Sequence, residues 1–319
     1  MPDLVTFGET PLRLTPPEHR RLARTDRVDL HVDGAESNVA VAANCLGVNA
    51  TWISKLPESP ASRRVLSEIH RHGVDTISRS SDGGRVGLVY HEAGADPRPD
   101  GRWHDRTDTS AARMSPADLP MDRVQSTDVV FSGIATPALS EGAAETTQAL
   151  LRAGSGAGAT AALDVDYDPR RHDPAAIRTL FEGLLEYVQV CFVSEEDARA
   201  VLAVSGQARE LANTIVAEYD IDTVVITRSE HGAVLMRDTP GTKVVHERDA
   251  VESHTIDPSG THEAFVGAFL ARLAAAAEPA DALSYGVAAA SIARTEPGPL
   301  LSATPAELEP LAERVADEG

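Results

Sequence analysis

Six short apolar runs punctuate the chain: Leu4–Phe7, Ala50–Ile53, Val129–Phe131, Ala161–Val165, Val190–Val193 and Val224–Thr227. Runs of this length without polar alternation predict strands buried on both faces of a parallel sheet. Between several of them lie Glu36–Leu46, Pro60–His72, Ser140–Arg152, Pro174–Tyr187, Glu195–Val204 and Arg209–Tyr219, whose apolar residues recur at three- and four-residue spacing. That period predicts helices with one buried face. The second has a start signal, Ser59 as N-cap and Pro60 at the first helical position. Strand and helix alternating in this way predict a three-layer α/β/α domain around a mostly parallel sheet, with ligands beyond the carboxyl ends of the strands.

Two stretches break the alternation. Pro11–Val32 and Gly87–Arg106 read as short strands and turns, and together, over about 11–33 and 86–106, they predict a small β flap on a single domain spanning 1–319. Helical patterns return at Thr261–Ala275, Pro279–Arg294 and Pro305–Ala316, the first two rich in Ala and so able to pack closely. Pro297, Gly298 and Pro299 punctuate the gap before the last. Ala153–Ala159, AGSGAGA, has the look of a phosphate loop, but no Lys-Ser/Thr follows it and a strand does, so it is expected to be a helix-to-strand loop.

Composition narrows the setting. No window approaches the ~18 consecutive apolar residues of a membrane span, and MPDLVTFGET lacks the basic flank and apolar stretch of a signal peptide, so a soluble cytoplasmic protein is expected. Cys45 and Cys191 have neither disulfide nor zinc spacing and are expected to be buried free thiols. A formal charge of −20, spread along the chain, argues against nucleic-acid and anionic-membrane partners. Lys55 and Lys243 are the only lysines, a pattern resembling proteins of high-salt cytoplasm. Self-repulsion at this charge destabilises the compact state at low ionic strength. The midpoint of thermal unfolding is therefore expected to rise from low to molar KCl, and a flat or falling midpoint would count against this reading.

Two segments carry candidate chemistry. In DGAESNVAVAANCLG, Asp33 to Gly47, Gly34 precedes a helix that opens with Glu36 and Asn38, so backbone and amide could meet the hydroxyls of a small ligand. In DPSGTHEAFVGAFLARL, Asp257 to Leu273, Gly260 precedes a helix whose first amides, at Thr261, His262 and Glu263, make a ready anion site. A carboxylate in that first turn could take a proton from an attacking hydroxyl. Each also has a plain reading, an ordinary turn into a helix.

Together, in this order along the chain, the segments resemble the two signature regions of the ribokinase-like (PfkB) carbohydrate kinases. Gly34, Asn38, Ala40, Leu46 and Gly47 match G-G-x-x-x-N-x-A-x-x-x-A-x-L-G, with Asn44 in place of its second alanine. Asp257, Gly260 and Phe265 match D-T-x-G-A-G-D-x-F. The opening GET followed by Arg13-Leu14 and Pro16, the GAESN form of the first motif, HDR at His104 to Arg106, and DP at Asp257 narrow the resemblance to 2-keto-3-deoxygluconate kinases. It implies ATP and Mg²⁺ as cofactors, a sugar or sugar acid as acceptor, and a homodimer or higher homo-oligomer, since flaps in the family close over the sugar and often pair between subunits. It also implies Glu263 as base and Gly260, Thr261 and His262 as anion hole. Sugar contacts would come from Gly34, Ala35, Asn38, Tyr90, His104, Arg106 and Asp166. Asp257, Asp197, Ser194, Thr227, Ser229 and Gly232 would surround the nucleotide, with Asp197 toward the metal.

The departures fall around the same site. His262-Glu263 stands where the family has Gly-Asp, and Asp33 replaces the first glycine of the first motif. Val89 and His104 replace tyrosines, Asp166 and Asp168 replace the Asn and Arg of D-x-N-x-R, and Ser194 and Ser229 replace an Asn and a Gly. Glu for Asp moves a carboxylate by roughly an Å, which can cost on the order of 10²-fold in rate. His262 is expected to crowd the amide cradle, with strain if its φ is positive. Asp168 is expected to repel an anion, with Arg170 or Arg171 as compensation. Two readings follow, a sugar kinase of reduced activity or a catalytically silent relative that binds sugar or nucleotide as a regulatory or partner subunit. A dinucleotide-binding enzyme is a poor fit, since no G-x-G-x-x-G follows the first strand.

Overall fold

The computed structural model describes residues 3–239 and 241–318. Its strands are β1 (Leu4–Phe7), β2 (Leu12–Thr15), β3 (Asp29–Val32), β4 (Ala50–Pro57), β5 (Asp75–Ser81), β6 (Leu88–Glu92), β7 (Gly101–Asp105), β8 (Val129–Gly133), β9 (Thr160–Val165), β10 (Val190–Ser194), β11 (Thr223–Thr227), β12 (Ala233–Thr239) and β13 (Thr242–Arg248). Nine of them form one sheet in the order β13-β12-β11-β10-β9-β8-β1-β4-β5. Neighbours from β11 through β5 run parallel, and the β12–β13 hairpin adds antiparallel pairs at one edge.

Both faces of this sheet are covered, which is why its strands read as unbroken apolar runs. Val5 and Phe7 enter one core with Leu150, Phe181 and Leu211, from helices Glu141–Gly156, Pro174–Leu184 and Ala208–Tyr219. Leu4 enters the other with Trp52, Phe131, Val39 and Phe269, the last two from helices Ala35–Cys45 and Thr261–Ala274. The Ala-rich helices pack as closely as their composition predicts, with Ala42, Ala264, Ala268, Ala288 and Ala289 in one cluster.

The flap is a separate four-stranded sheet, β3-β2-β6-β7. Cross-strand register gives it two faces. Arg13, Val89 and His104 are neighbours on the inner face, while Leu14, Tyr90 and Trp103 are neighbours on the outer one. Trp103 is 52 % exposed there, whereas Trp52 is fully buried.

Several elements differ from the pattern reading. β5 is mostly polar, as an edge strand exposed to solvent on one side can be, so its sequence carries no apolar run. The helix beginning at Glu195 ends at Ala200, and AGSGAGA is helical through Gly156 before it turns into β9. Cys191 is buried but Cys45 only half-buried. Among the described residues, no helix is long and apolar enough to cross a membrane.

The winding reverses at β1, which has β4 on one side and β8 on the other. Open parallel sheets leave a crevice beyond the carboxyl ends of the strands at such a reversal.

Candidate active site

Two clefts meet at this end of the sheet and share Asp166, Tyr167 and Pro169. The smaller, about 200 Å³, lies at the reversal point, between Glu9 after β1, Thr136 after β8, and Arg102, His104 and Arg106 of the flap. The larger, about 700 Å³, is lined by Ser194, Asp197, Thr227, Ser229 and Gly232 at the ends of β10 and β11, and by Thr261 and His262. Ser229 takes a left-handed backbone, φ +50°, at the place where the family signature has glycine.

The Gly260 loop stands between the two. Gly260 has φ +75°, and a Cβ there would lie 2.0 Å from the Pro299 carbonyl oxygen, so both conformation and space require glycine. The helix starts at Thr261, whose amide turns back to Pro258 O at 3.3 Å. The amides of His262 and Glu263 have no backbone partner, and Thr261 Oγ1 is buried without one. Consecutive helical residues point about 100° apart. That rotation sends His262 into the larger cleft and Glu263 into the smaller.

His262 does not obstruct this loop as the sequence suggests. Its backbone is helical, outside the positive-φ residues. Its Nε2 lies 3.0 and 2.9 Å from the two carboxylate oxygens of Asp164 at the end of β9. Burial alone would pull its pKa down, but the facing Asp164 outweighs that and carries it up to about 10, so the ring is an imidazolium at neutral pH.

In the smaller cleft, burial, with Asp33 nearby, pushes Glu263 up to about 7, the range of an effective proton acceptor at neutral pH. Burial also raises Glu36 to about 7, even though Gly133 N–H and Thr136 Oγ1–H donate to its Oε1 at 3.1 and 2.6 Å. Burial and then Arg106 lower His104 to about 4. Its neutral ring therefore donates from Nε2 to Asp168 Oδ2 at 3.0 Å, leaving Nδ1 buried and unpartnered. Asp168 is held by Arg170 as well as His104, and these bonds outweigh burial and keep it at about 2. The repulsion expected of Asp168 is thus largely neutralised within the protein. Arg171 lines the same cleft and has no ion pair among the described residues; burial and the neighbouring Arg106 lower it to about 10. Arg106 Nε lies 3.3 Å from Glu9 Oε2.

Four predicted contacts lie elsewhere. Asn38 is buried within its helix, where Nδ2 donates to Asp33 Oδ1 at 3.0 Å, so it orients Asp33 and does not line the cleft. Gly34 makes its close approach to Glu9 O and Thr10, not to a cavity. Tyr90 is on the outer face of the flap, opposite His104. Asp257 lines neither cleft: it accepts from the amides of Ser259 and Gly298, both at 2.9 Å, and faces Arg13 at 3.8 Å. Arg13 is 2 % exposed, reaches Asp33 at 3.5 Å and donates to Ser259 Oγ, so it ties the flap to both signature loops. Ala35, His104, Arg106, Asp166 and Glu263 do meet in the smaller cleft, and Ser194, Asp197, Thr227, Ser229, Gly232, Thr261 and His262 in the larger. Sequence reasoning missed Glu9, Glu36 and Arg102 as cleft residues.

The family model described as "pfkB family carbohydrate kinase" matches residues 1–306. The chain belongs to this family. It is 43% identical over 307 residues, 96% of its length and 95% of the relative's, to a 2-dehydro-3-deoxygalactonokinase of Haloferax volcanii. A 2-dehydro-3-deoxygluconokinase of Thermoproteus tenax is 27% identical over 92% of this chain and 88% of its own. The crystal structure of a 2-dehydro-3-deoxygluconokinase from Thermotoga maritima superposes with a TM-score of 0.87 at 27% identity, covering 97% of this chain and 99% of that one. The chain is thus a PfkB sugar kinase with a ribokinase-like fold, and PfkB kinases use ATP. The larger cleft fits that donor: the His262 amide, without a backbone partner among the described residues, and the Thr261 hydroxyl offer two donors to phosphate oxygens. Among the described residues, no cluster of three or more His, Cys, Asp and Glu is placed to hold a metal. Asp197, whose Oδ2 accepts from Ser194 Oγ at 2.7 Å and which burial raises to about 7, is one of the carboxylates lining that cleft, with Asp166, Glu196 and Glu230. Mg²⁺ binds well to such a site only with phosphates and water completing its shell.

Proposed function

We propose that this PfkB kinase transfers the γ-phosphoryl group of ATP to a hydroxyl of a 2-dehydro-3-deoxyaldonic acid. The observation that carries the reading is Arg171. It faces the smaller cleft beside Arg106 with no ion pair among the described residues, Glu9, Asp168 and Asp166 acting on it only from further away, and a substrate carboxylate would relieve the repulsion between the two guanidiniums. Glu9, Glu36 and the free Nδ1 of His104 offer acceptors for hydroxyls. The relatives' names support the same class, since gluconate and galactonate derivatives differ only in configuration at C4.

In this reading Glu263 takes the proton of the acceptor hydroxyl as its oxygen bonds to the γ-phosphorus. The bond from that phosphorus to the β,γ-bridging oxygen breaks, and its electron pair leaves with ADP. The His262 and Glu263 amides and Thr261 Oγ1 hold the passing phosphoryl group. Mg²⁺, with Asp197 as its protein carboxylate, would neutralise charge on the donor's phosphates.

A coupled assay in molar KCl with both C4 epimers and the corresponding neutral sugars tests the reading. Arg171→Gln is expected to raise KM for the sugar acid tenfold or more, in keeping with the roughly 1.5–3 kcal/mol of a hydrogen bond to a charged group, with kcat little changed. Equal turnover of acid and neutral sugar, or an unchanged KM in the variant, would overturn it.

A further inference from the structure

We propose that His262 is a catalytic residue of this kinase, an imidazolium clamped by Asp164 that presents its Nδ1–H to the phosphoryl group moving between the two clefts.

The geometry supplies each part of this arrangement. His262 is in the first turn of its helix, its own amide without a backbone partner among the described residues, at the point where the Gly260 loop separates the clefts. Nε2 is engaged by both oxygens of Asp164, whose side chain is 3 % exposed and whose strand end is fixed in the sheet. Among the described residues Nδ1 has no hydrogen-bond partner and is not sealed off, and the His262 side chain, 30 % exposed, opens on the larger cleft. A histidine whose one nitrogen is fixed by a buried carboxylate presents the other in a set direction.

Charge gives the arrangement its purpose. The larger cleft is lined by Asp166, Glu196, Asp197 and Glu230, with only Arg294 and His262 as cationic side chains among the described residues. A nucleotide triphosphate entering so acidic a cleft needs positive charge where charge accumulates in the transition state. Glu263, the neighbouring residue, faces the acceptor, so His262 is the cation nearest in the chain to the reacting hydroxyl's base. The histidine that reads as an obstruction in the sequence thereby adds a donor and a charge to the anion hole.

The inference rests on the kinase reading but is tested separately from it. In His262→Gln the side-chain amide can still donate to Asp164 while the charge is removed. Titration calorimetry would compare ADP with an imido analogue of ATP at fixed Mg²⁺, alongside kcat with the preferred sugar acid and the unfolding midpoint. The analogue is expected to bind about tenfold more weakly to the variant, ADP within twofold of wild type, and kcat to fall on the order of 10²-fold with sugar KM unchanged. Equal loss for ADP and the analogue, or a lower midpoint with unaltered nucleotide selectivity, would assign His262 a structural role only and overturn the proposal. Should the variant fail to fold, nitrogen NMR of the wild-type imidazole decides. A doubly protonated His262 at pH 8 whose Nδ1 resonance moves with the analogue and not with ADP supports the proposal. A neutral ring, or one indifferent to the analogue, refutes it. The calorimetric and NMR arms need no sugar, so they stand even if the acceptor class is different.

Discussion

Glu263→Gln is expected to lower sugar-dependent ATP turnover by about 10²–10⁴-fold, the contribution of a positioned general base, while the protein becomes more stable above pH 7. Both effects have one cause. Burial raises Glu263 to about 7, so the folded state binds more protons than the unfolded chain, where an ordinary glutamate titrates near 4.5. Stability contributed by this group is therefore lost as pH rises from about 4.5 to about 7, and above that range the ionised carboxylate remains a standing penalty. Glutamine removes the penalty together with the base. In the wild type the same ionisation makes kcat/KM rise with pH through about 7. Glu263→Asp, which retracts the carboxylate by roughly an Å, falls between, on the order of 10²-fold down. A glutamine variant within tenfold of wild type would show that the proton goes elsewhere.

Arg13→Met is expected to cost about 3 kcal/mol of stability, the lower end for a broken buried pair, because it removes the cation facing Asp257 and leaves Asp33 with Arg102 alone. For a chain of this length that corresponds to a fall in Tm of roughly 5 °C or more, measurable by calorimetry. Activity should fall too, since Arg13 joins flap strand β2 to Asp33 and to Ser259 beside the Gly260 turn. Arg13→Lys restores charge but cannot span three partners from one planar fork, so it should recover only part of the loss. A shift under about 2 °C in the methionine variant would mean that water or rearrangement replaces the clasp.

The parallel strands were legible because burial on both faces leaves an unbroken apolar run, as in Val190–Val193 with its four buried residues. β5 was not, because an edge strand reading Asp-Thr-Ile-Ser-Arg-Ser-Ser satisfies solvent on one side. Motif spacing identified which segments converge on the site, since His262, Glu263 and Ala35 all lie there. It did not report direction. Asn38 and Asp257 sit in the right segments yet turn inward to Asp33 and Arg13, a difference of side-chain rotation that residue identity does not encode. Tyr90 fell on the wrong face because strand faces follow from register, and the pairing of Val89 with His104 is a long-range fact. The contact made by His262 was not legible for a further reason: its partner Asp164 is 98 residues away in sequence. Only with that pair in view can the substitution be read as a placed charge, as proposed above, and not as a bulky intrusion.

The two tryptophans give the protein a built-in optical reporter. Trp52 is sealed in the core and Trp103 stands half exposed on the outer face of the flap, so an uncharged collisional quencher acts on the second alone. Emission from Trp103 is thereby a direct signal of what happens to the flap, whether it swings over a bound acceptor or becomes covered by another molecule, without any label. The same chain then allows stopped-flow mixing to separate the time course of flap movement from that of phosphoryl transfer.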